Sequence, residues 1–360
     1  MKHIYFFAVL ALFFSSCSIT HQTKLTFLDE YVLADSIAFK NTIIGGLSGV
    51  DFVNDQYYFV VDDDKNPRVL ISDISISDNK IQSVNFKNVI HLNDSISNFY
   101  KENALDLESV FVDEYTNEIY LVSEGSINNN KLPTIFKIDK NGIFLEQFKL
   151  PKNLSNIKTI KHNAAFEASS KSIDQKGFWV AMEGPLNVDG EEPTFSKTSS
   201  PIRITYFDKT SKKATKQFGY QLENITKPAK GDINLNGVTA ILEYKENQFL
   251  VVERTYQNGY GIHGNIVRIF DVVIDENSTN TLDIDSLKTS KFIPLKKRLV
   301  FNFEGIKDKL TENSIDNIEG ITFGPQLPNG NKSLLLISDD NFQVYGKQLN
   351  QFILLELQTN

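Results

Sequence analysis

The chain has 360 residues, 37 Lys plus Arg against 45 Asp plus Glu, a formal net charge of −8 and 41% hydrophobic residues. That balance belongs to a globular protein and excludes a disordered polyanion. An acidic chain without a Lys/Arg-rich block also argues against nucleic acid as a partner, because phosphate backbone is held by clustered positive charge.

Met1-Lys2-His3 is a basic tip, and residues 4–14 form an apolar run of 11 residues, too short to span a bilayer as a mature helix. Ser15-Ser16-Cys17 follows, and Cys17 is the only cysteine of the chain. A basic tip, an apolar core and small residues at a cut site describe a secretory signal. A cysteine at that site resembles the bacterial lipoprotein signal, in which it is lipidated and becomes residue one. The expectation is a signal peptide over 1–17, a lipid anchor on Cys17 and an outer-membrane address; a plain secretory signal is the alternative. After processing, no cysteine remains to form a disulfide. Residues 18–41 read as an N-terminal segment carrying one strand, 26–33.

From residue 42 onward the chain repeats. Gly46-Leu47-Ser48-Gly49-Val50, Asp106-Leu107-Glu108-Ser109-Val110, Ala165-Phe166-Glu167-Ala168-Ser169, Leu235-Asn236-Gly237-Val238 and Asn317-Ile318-Glu319-Gly320-Ile321 share a large apolar residue, then Glu, Ser or Asn, then a small residue. The middle positions 48, 108, 167, 236 and 319 are 60, 59, 69 and 83 residues apart. Each segment is followed by a second short apolar strand, 57–61, 119–123, 178–182, 249–252 and 334–338, bounded by turn residues. Each second strand ends on acid: Asp62-Asp63, Glu124, Glu183, Glu253 and Asp339-Asp340. Third strands read at 68–73, 134–138, 202–207, 265–273 and 351–357. Fourth strands read at 83–92, 144–150, 216–222 and 298–303. The last repeat ends before its fourth strand, and strand 26–33 can supply it. Four-stranded units repeated around an axis and closed by the N-terminal strand describe an all-β propeller over 42–360. Five blades are favoured over six. The excursions at 186–201 and 275–297 read as polar loops on one face, and 306–310 as one helical turn.

In such a blade the start of the first strand and the end of the second share one rim. Glu108, Glu167, Glu319, Asp62, Asp63, Glu124, Glu183, Glu253 and Asp339 are therefore expected around one mouth, with Asn236 and Ser48 filling the remaining first-strand positions. Small residues beside them, such as Gly49, Gly237 and Gly320, let strands crowd near the axis. Carboxylates so gathered repel one another unless a cation is bound, and oxygen-only ligands suit Ca²⁺ or Mg²⁺. Arg254 and Arg68 stand beside acids and suit bidentate grip of a phosphate or carboxylate, or a salt bridge to those acids. His162 is the candidate acid/base of the same mouth, with a solvated loop position as the alternative. Zinc-protease, nucleophile-elbow, Walker and dinucleotide motifs are absent, and Pro67 stands where a calcium loop beginning at Asp62 would need Gly.

At these residues the sequence resembles the phytase-like family described as "esterase-like activity of phytase". The resemblance rests on Asn163-Ala164-Ala165-Phe166-Glu167, on Trp179-Val180-Ala181-Met182-Glu183-Gly184, on Glu253-Arg254, on Asp316-Asn317-Ile318-Glu319-Gly320 and on Ser338-Asp339-Asp340-Asn341-Phe342. It implies a secreted or periplasmic propeller that hydrolyses a small phosphoester or ester. The resulting expectation is Ca²⁺ held by Glu108, Glu319, Glu183, Glu253, Asp62, Asp63, Glu124 and Asp339. Glu167, Arg254 and His162 are the expected catalytic groups, with Arg68, Asn236 and Asn341 against the substrate. A monomer whose only membrane contact is its lipid is expected. A non-catalytic binding propeller using the same mouth is the alternative.

Overall fold

A computed structural model describes residues 23–92 and 97–359. The signal segment and Cys17 lie outside the described residues. Five four-stranded antiparallel sheets are arranged as the blades of a β-propeller. Blade 1 is Leu47–Val53, Gln56–Val61, Arg68–Ser77 and Lys80–His91. Blade 2 is Leu107–Val112, Ile119–Ser123, Thr134–Ile138 and Phe144–Gln147. Blade 3 is Phe166–Lys171, Gly177–Met182, Pro201–Asp208 and Lys213–Gln221. Blade 4 is Asn234–Lys245, Gln248–Gln257, Asn265–Val273 and Lys296–Asn302. Blade 5 takes Asn317–Gln326, Lys332–Asp339 and Asn350–Gln358 from the C-terminus and Lys24–Leu33 from the N-terminus. Lys24 lies opposite Gln358 and Leu33 opposite Asn350, so the first strand closes the ring as the sequence implied.

Blades stack face to face, so their inner strands are apolar on both sides rather than alternating. Leu107–Val112 and Gly177–Met182 are buried at every position. The outer strands are partly exposed, as at Lys80–His91, Phe144–Gln147 and Lys296–Asn302. The space between blades 2 and 3 is filled by rings, with Phe111 4.9 Å from Phe178 and Phe178 stacked 5.6 Å from Phe207.

A β-bulge interrupts each inner strand at its mouth end. The register skips at Ser48, Glu108, Glu167, Thr239 and Glu319. A bulge re-aims one side chain without breaking the ladder, and here it is the same position in every blade. In blade 4 the position belongs to Thr239, not to Asn236. That inner strand begins early, at Asn234, and Val238-Thr239-Ala240 carries the repeat's large–polar–small pattern. The same register sets Val238 opposite Glu253, as Leu47 is set opposite Val61. Arg254, one residue on, is therefore the counterpart of Asp62, Glu124, Glu183 and Asp339.

The close approach near the axis is visible at two glycines. A Cβ on Gly49 would lie 2.8 Å from the Ser109 Cα of the next blade, and one on Gly237 would lie 2.6 Å from Glu183 Cγ. The two excursions do not share a face. Residues 186–200 leave blade 3 at the mouth, whereas 275–295 leave blade 4 at the opposite end, beyond Val273. They meet across the outer strand of blade 3, where Leu287 N–H donates to Asp189 at 2.9 Å. Asp189 is gripped there by the fully buried Arg203 through two bonds of 2.6 and 2.8 Å. The expected helical turn is a 3₁₀ segment, Phe303–Lys309.

Candidate functional site

The bulges and the ends of the second strands bring Asp62, Glu108, Glu124, Glu167, Glu183, Glu319 and Asp339 to one mouth, joined by Asp106 just before the blade 2 inner strand. Asp62, Asp106 and Glu108 each place a carboxylate oxygen within 4.8 Å of the others. Asp106 was missed in the repeat because only the middle position was counted; its place two residues before Glu108 was the available signal.

Burial dominates the electrostatics here, and like charge adds to it. Burial, the hydrogen bond that protonated Asp62 donates to Asp106, and the charge of Asp106 push Asp62 up to about 8. Burial and the charges of Glu183 and Asp62 push Glu124 to about 8. Glu183 and Glu319 are raised by burial to about 7, with Arg254 pulling the other way. Burial and neighbouring carboxylates hold Glu108, Glu167 and Asp339 well above the usual carboxylate range.

Arg254 is the cation of this cluster. Burial works against its charge, but Glu319, Glu183 and Glu167 hold the guanidinium protonated. Its Nη2 stands 3.6 Å from Glu183 and 3.7 Å from Glu319, beyond hydrogen-bond range. Nη1 donates to Asn317 Oδ1, and Asn317 Nδ2 donates to Glu319 at 2.7 Å. The buried Nε has no acceptor among the described residues. The guanidinium thus retains donors that an anion entering the mouth can use.

The two hydroxyls at bulge positions do a different job. Ser48 donates to the Leu107 carbonyl at 2.6 Å and Thr239 to the Ile318 carbonyl at 2.7 Å. Each ties its blade to the next at the residue before a mouth glutamate.

Several candidates lie elsewhere. Glu253 is fully buried between blades 3 and 4. It accepts from Tyr220 at 2.6 Å, Asn236 at 2.8 Å and Lys297 at 2.8 Å. Glu253 and Asn236 therefore support the fold outside the mouth cluster. Asp63 and Arg68 pair with each other at 2.7 Å, and Arg68 is spent further on the carbonyls of Asn66 and Ile43. Asn341 is placed by its backbone N–H, which donates to Asp339 at 2.7 Å. His162 is exposed in the loop before blade 3, and no hydrogen bond among the described residues ties it to the mouth acids.

The arrangement offers an oxygen cage on the side of blades 1 and 2, an anion-ready guanidinium from blade 4, and carboxyls that titrate near neutrality between them. No curated protein sequence matches the chain. Among solved structures it is similar to the Kuenenia stuttgartiensis hydrazine synthase (9% identity, TM-score 0.39, 81% of this chain and 64% of that one). It is also similar to a Phanerochaete chrysosporium exo-β-1,3-galactanase with galactose (10%, 0.45, 90% and 64%), so it spans less than two thirds of both. A putative exo-β-1,3-galactanase from Bifidobacterium bifidum is covered almost whole (8%, 0.45, 93% and 97%). These likenesses are too distant to carry chemistry. The sequence model of the phytase-like family, esterase-like activity of phytase, matches residues 42–342, and the chain belongs to that family.

Proposed function

We propose that the protein is a cell-envelope hydrolase of small phosphoesters or related esters, assisted by Ca²⁺ at the acidic mouth and tethered through a lipid on Cys17. The observation that carries this reading is the pairing of an oxygen cage with one arginine that has unused donors. Asp62, Asp106 and Glu108 fit a hard divalent cation, because it takes several carboxylate oxygens at roughly 2.3–2.6 Å. A bound cation supplies polarisation of the ester oxygen and a more acidic water. Arg254 orients the anionic group through its free Nε and Nη2 donors, and Asn317 holds the guanidinium in place. Glu183 and Glu319, both near 7, have the affinity to accept or return a proton at neutral pH. Glu167 lies among them as a third carboxyl within reach of Arg254's field.

The test is a purified mature protein, freed of metal and screened against phosphomonoester, phosphodiester and carboxylester substrates with Ca²⁺ and with chelator. Turnover that needs Ca²⁺ and disappears in Asp106→Asn and in Arg254→Ala, with both variants folded, supports the reading. Calcium binding without turnover of any class favours a non-catalytic ligand-binding propeller.

A further inference from the structure

We propose that the far end of the central channel, opposite the acidic mouth, is a second binding site, and that it takes a small zwitterion with an apolar side chain, an α-amino acid of the leucine or phenylalanine kind. The site is separate from the mouth, and its occupancy does not depend on hydrolysis there.

The inner strands of all five blades line a cavity of about 170 Å³. Inner strands start at the mouth, so their later residues mark the far end. Val50, Val110 and Ile321 form its deeper wall, with Phe52, Leu242 and Phe323 nearer the opening. The turns that follow the inner strands of blades 2 and 3 bring Tyr115 and Ile173 to the rim, where they are 76% and 44% exposed. The cavity therefore opens to water on the far face. Packed cores leave few voids larger than a water molecule, and this one is far larger. A closed apolar cavity of roughly 150 Å³ takes a benzene ring, so there is room here for a phenyl or isobutyl group.

One ion pair on the cavity wall sets the chemistry of the head group. Asp51 Oδ2 accepts from Val112 N–H and from Lys171 Nζ, each at 2.8 Å. The Asp51 side chain is 7% exposed and that of Lys171 35%, and both line the cavity. Among the described residues Asp51 Oδ1 accepts no hydrogen bond, and Lys171 Nζ donates only to Asp51. The pair thus keeps one acceptor and two N–H donors unused. A ligand ammonium on Oδ1 and a ligand carboxylate on Nζ satisfy both, as two antiparallel dipoles, and leave no charge unpaired in a half-buried site. The side chain of such a ligand then reaches inward to Val50, Val110 and Ile321. A ligand with one charge fits less well. Glu114 and Glu243 also line the cavity, and Lys209 is held by Asp113 at 2.6 Å, so a lone anion meets a surplus of carboxylates. A lone cation on Oδ1 lies beside the Lys171 ammonium with no carboxylate to offset the repulsion.

The experiment is titration calorimetry on the purified protein in chelator. The probes are L-leucine and L-phenylalanine; isoamylamine, phenethylamine and the two N-acetyl amino acids are the single-charge controls. Saturable binding of at least one amino acid below about 10 mM is expected, with each control about tenfold weaker or more. Lys171→Met should weaken the amino acid by about tenfold, and Arg254→Ala, at the mouth, should leave its binding unchanged. If Lys171→Met does not fold, the neutral pair Asp51→Asn with Lys171→Gln replaces it, with the same loss expected. No saturation by either amino acid overturns the proposal. So does a control that binds as tightly as its parent amino acid, or unaltered binding when the ion pair is removed. Binding that disappears in Arg254→Ala places the amino acid in the mouth and overturns the far site. Because chelator is present throughout, a failure of calcium-dependent turnover at the mouth leaves these outcomes standing, and a failure here leaves the hydrolytic reading standing.

Discussion

Replacing Asp106 by Asn probes the mouth through its proton balance. In chelator, Glu183 and Glu319 titrate near 7 and Asp62 and Glu124 near 8, whereas unfolded carboxyls titrate near 4. Between pH 5 and 8 the folded state therefore holds protons that the unfolded state has released. Stability then falls as pH rises, by about 1.4 kcal/mol per pH unit for each retained proton. One proton is the floor, the four named acids together give about 5 kcal/mol per unit, and Glu108, Glu167 and Asp339 act in the same direction. Even the floor lowers the melting temperature by roughly 2 °C per unit in a chain of this size. The fall eases above pH 8, as Asp62 and Glu124 ionise in the folded state as well. Calcium at a hundredfold excess over its dissociation constant adds about 2.7 kcal/mol. That gain is larger at pH 8 than at pH 5, because the cation competes with protons for the same oxygens. The assay is thermal unfolding from pH 5 to 8.5, in chelator and in millimolar Ca²⁺. Asp106→Asn shows a shallower slope in chelator and little calcium shift; Glu246→Gln, in an exposed far-face turn, behaves as wild type. A melting temperature that is flat or rising from pH 5 to 8 in chelator refutes the reasoning, as does an equal calcium shift in Asp106→Asn and wild type.

Arg254→Lys keeps the charge but loses the fork, so inorganic phosphate should bind roughly ten- to a hundredfold more weakly by calorimetry, the loss of a charged hydrogen bond. Arg203→Ala leaves Asp189 buried and unpaired and should cost about 3–5 kcal/mol in urea unfolding; a loss below about 1 kcal/mol would mean that the excursions do not depend on the pair. Gly49→Ala drives a methyl into the neighbouring blade's backbone and should cost about 1–3 kcal/mol, read as a lower melting temperature at every pH.

The ring was legible because its signals are local. Strands such as Ile119–Ser123, Thr134–Ile138 and Asn265–Val273 are compact apolar runs ended by turn residues, and the missing fourth strand of the last repeat pointed to the N-terminus. The mouth was legible in three blades, where Glu108, Glu167 and Glu319 recur at one register. Blade 4 misled for a physical reason. Its hairpin is longer, so the bulge falls three residues beyond Asn236, and the neighbouring Glu253 imitates the acid that Arg254 replaces. Which face of the strand each side chain takes depends on that bulge, and no composition rule reveals it. Arg68 was recognisable as a paired cation or a ligand grip, and only packing against Asp63 and two carbonyls decided between them. The Arg203–Asp189 clamp had no sequence signal, since its partners come from a strand and an excursion that meet only in the folded ring.

The closing strand also sets an order of events during synthesis. Lys24–Leu33 is made long before its partner Asn350–Gln358. Until both exist, blade 5 cannot be finished, and Lys24–Leu33, half-buried in the native ring, waits without its ladder partner. An unpaired edge of that kind is a template for wrong pairing with another chain. A closure spanning nearly the whole sequence is also slow, because its loop entropy is lost before its contacts form. Nascent chains are therefore most exposed to misassembly in the interval before the last strand docks, and chaperones that shield sheet edges should matter most for that step.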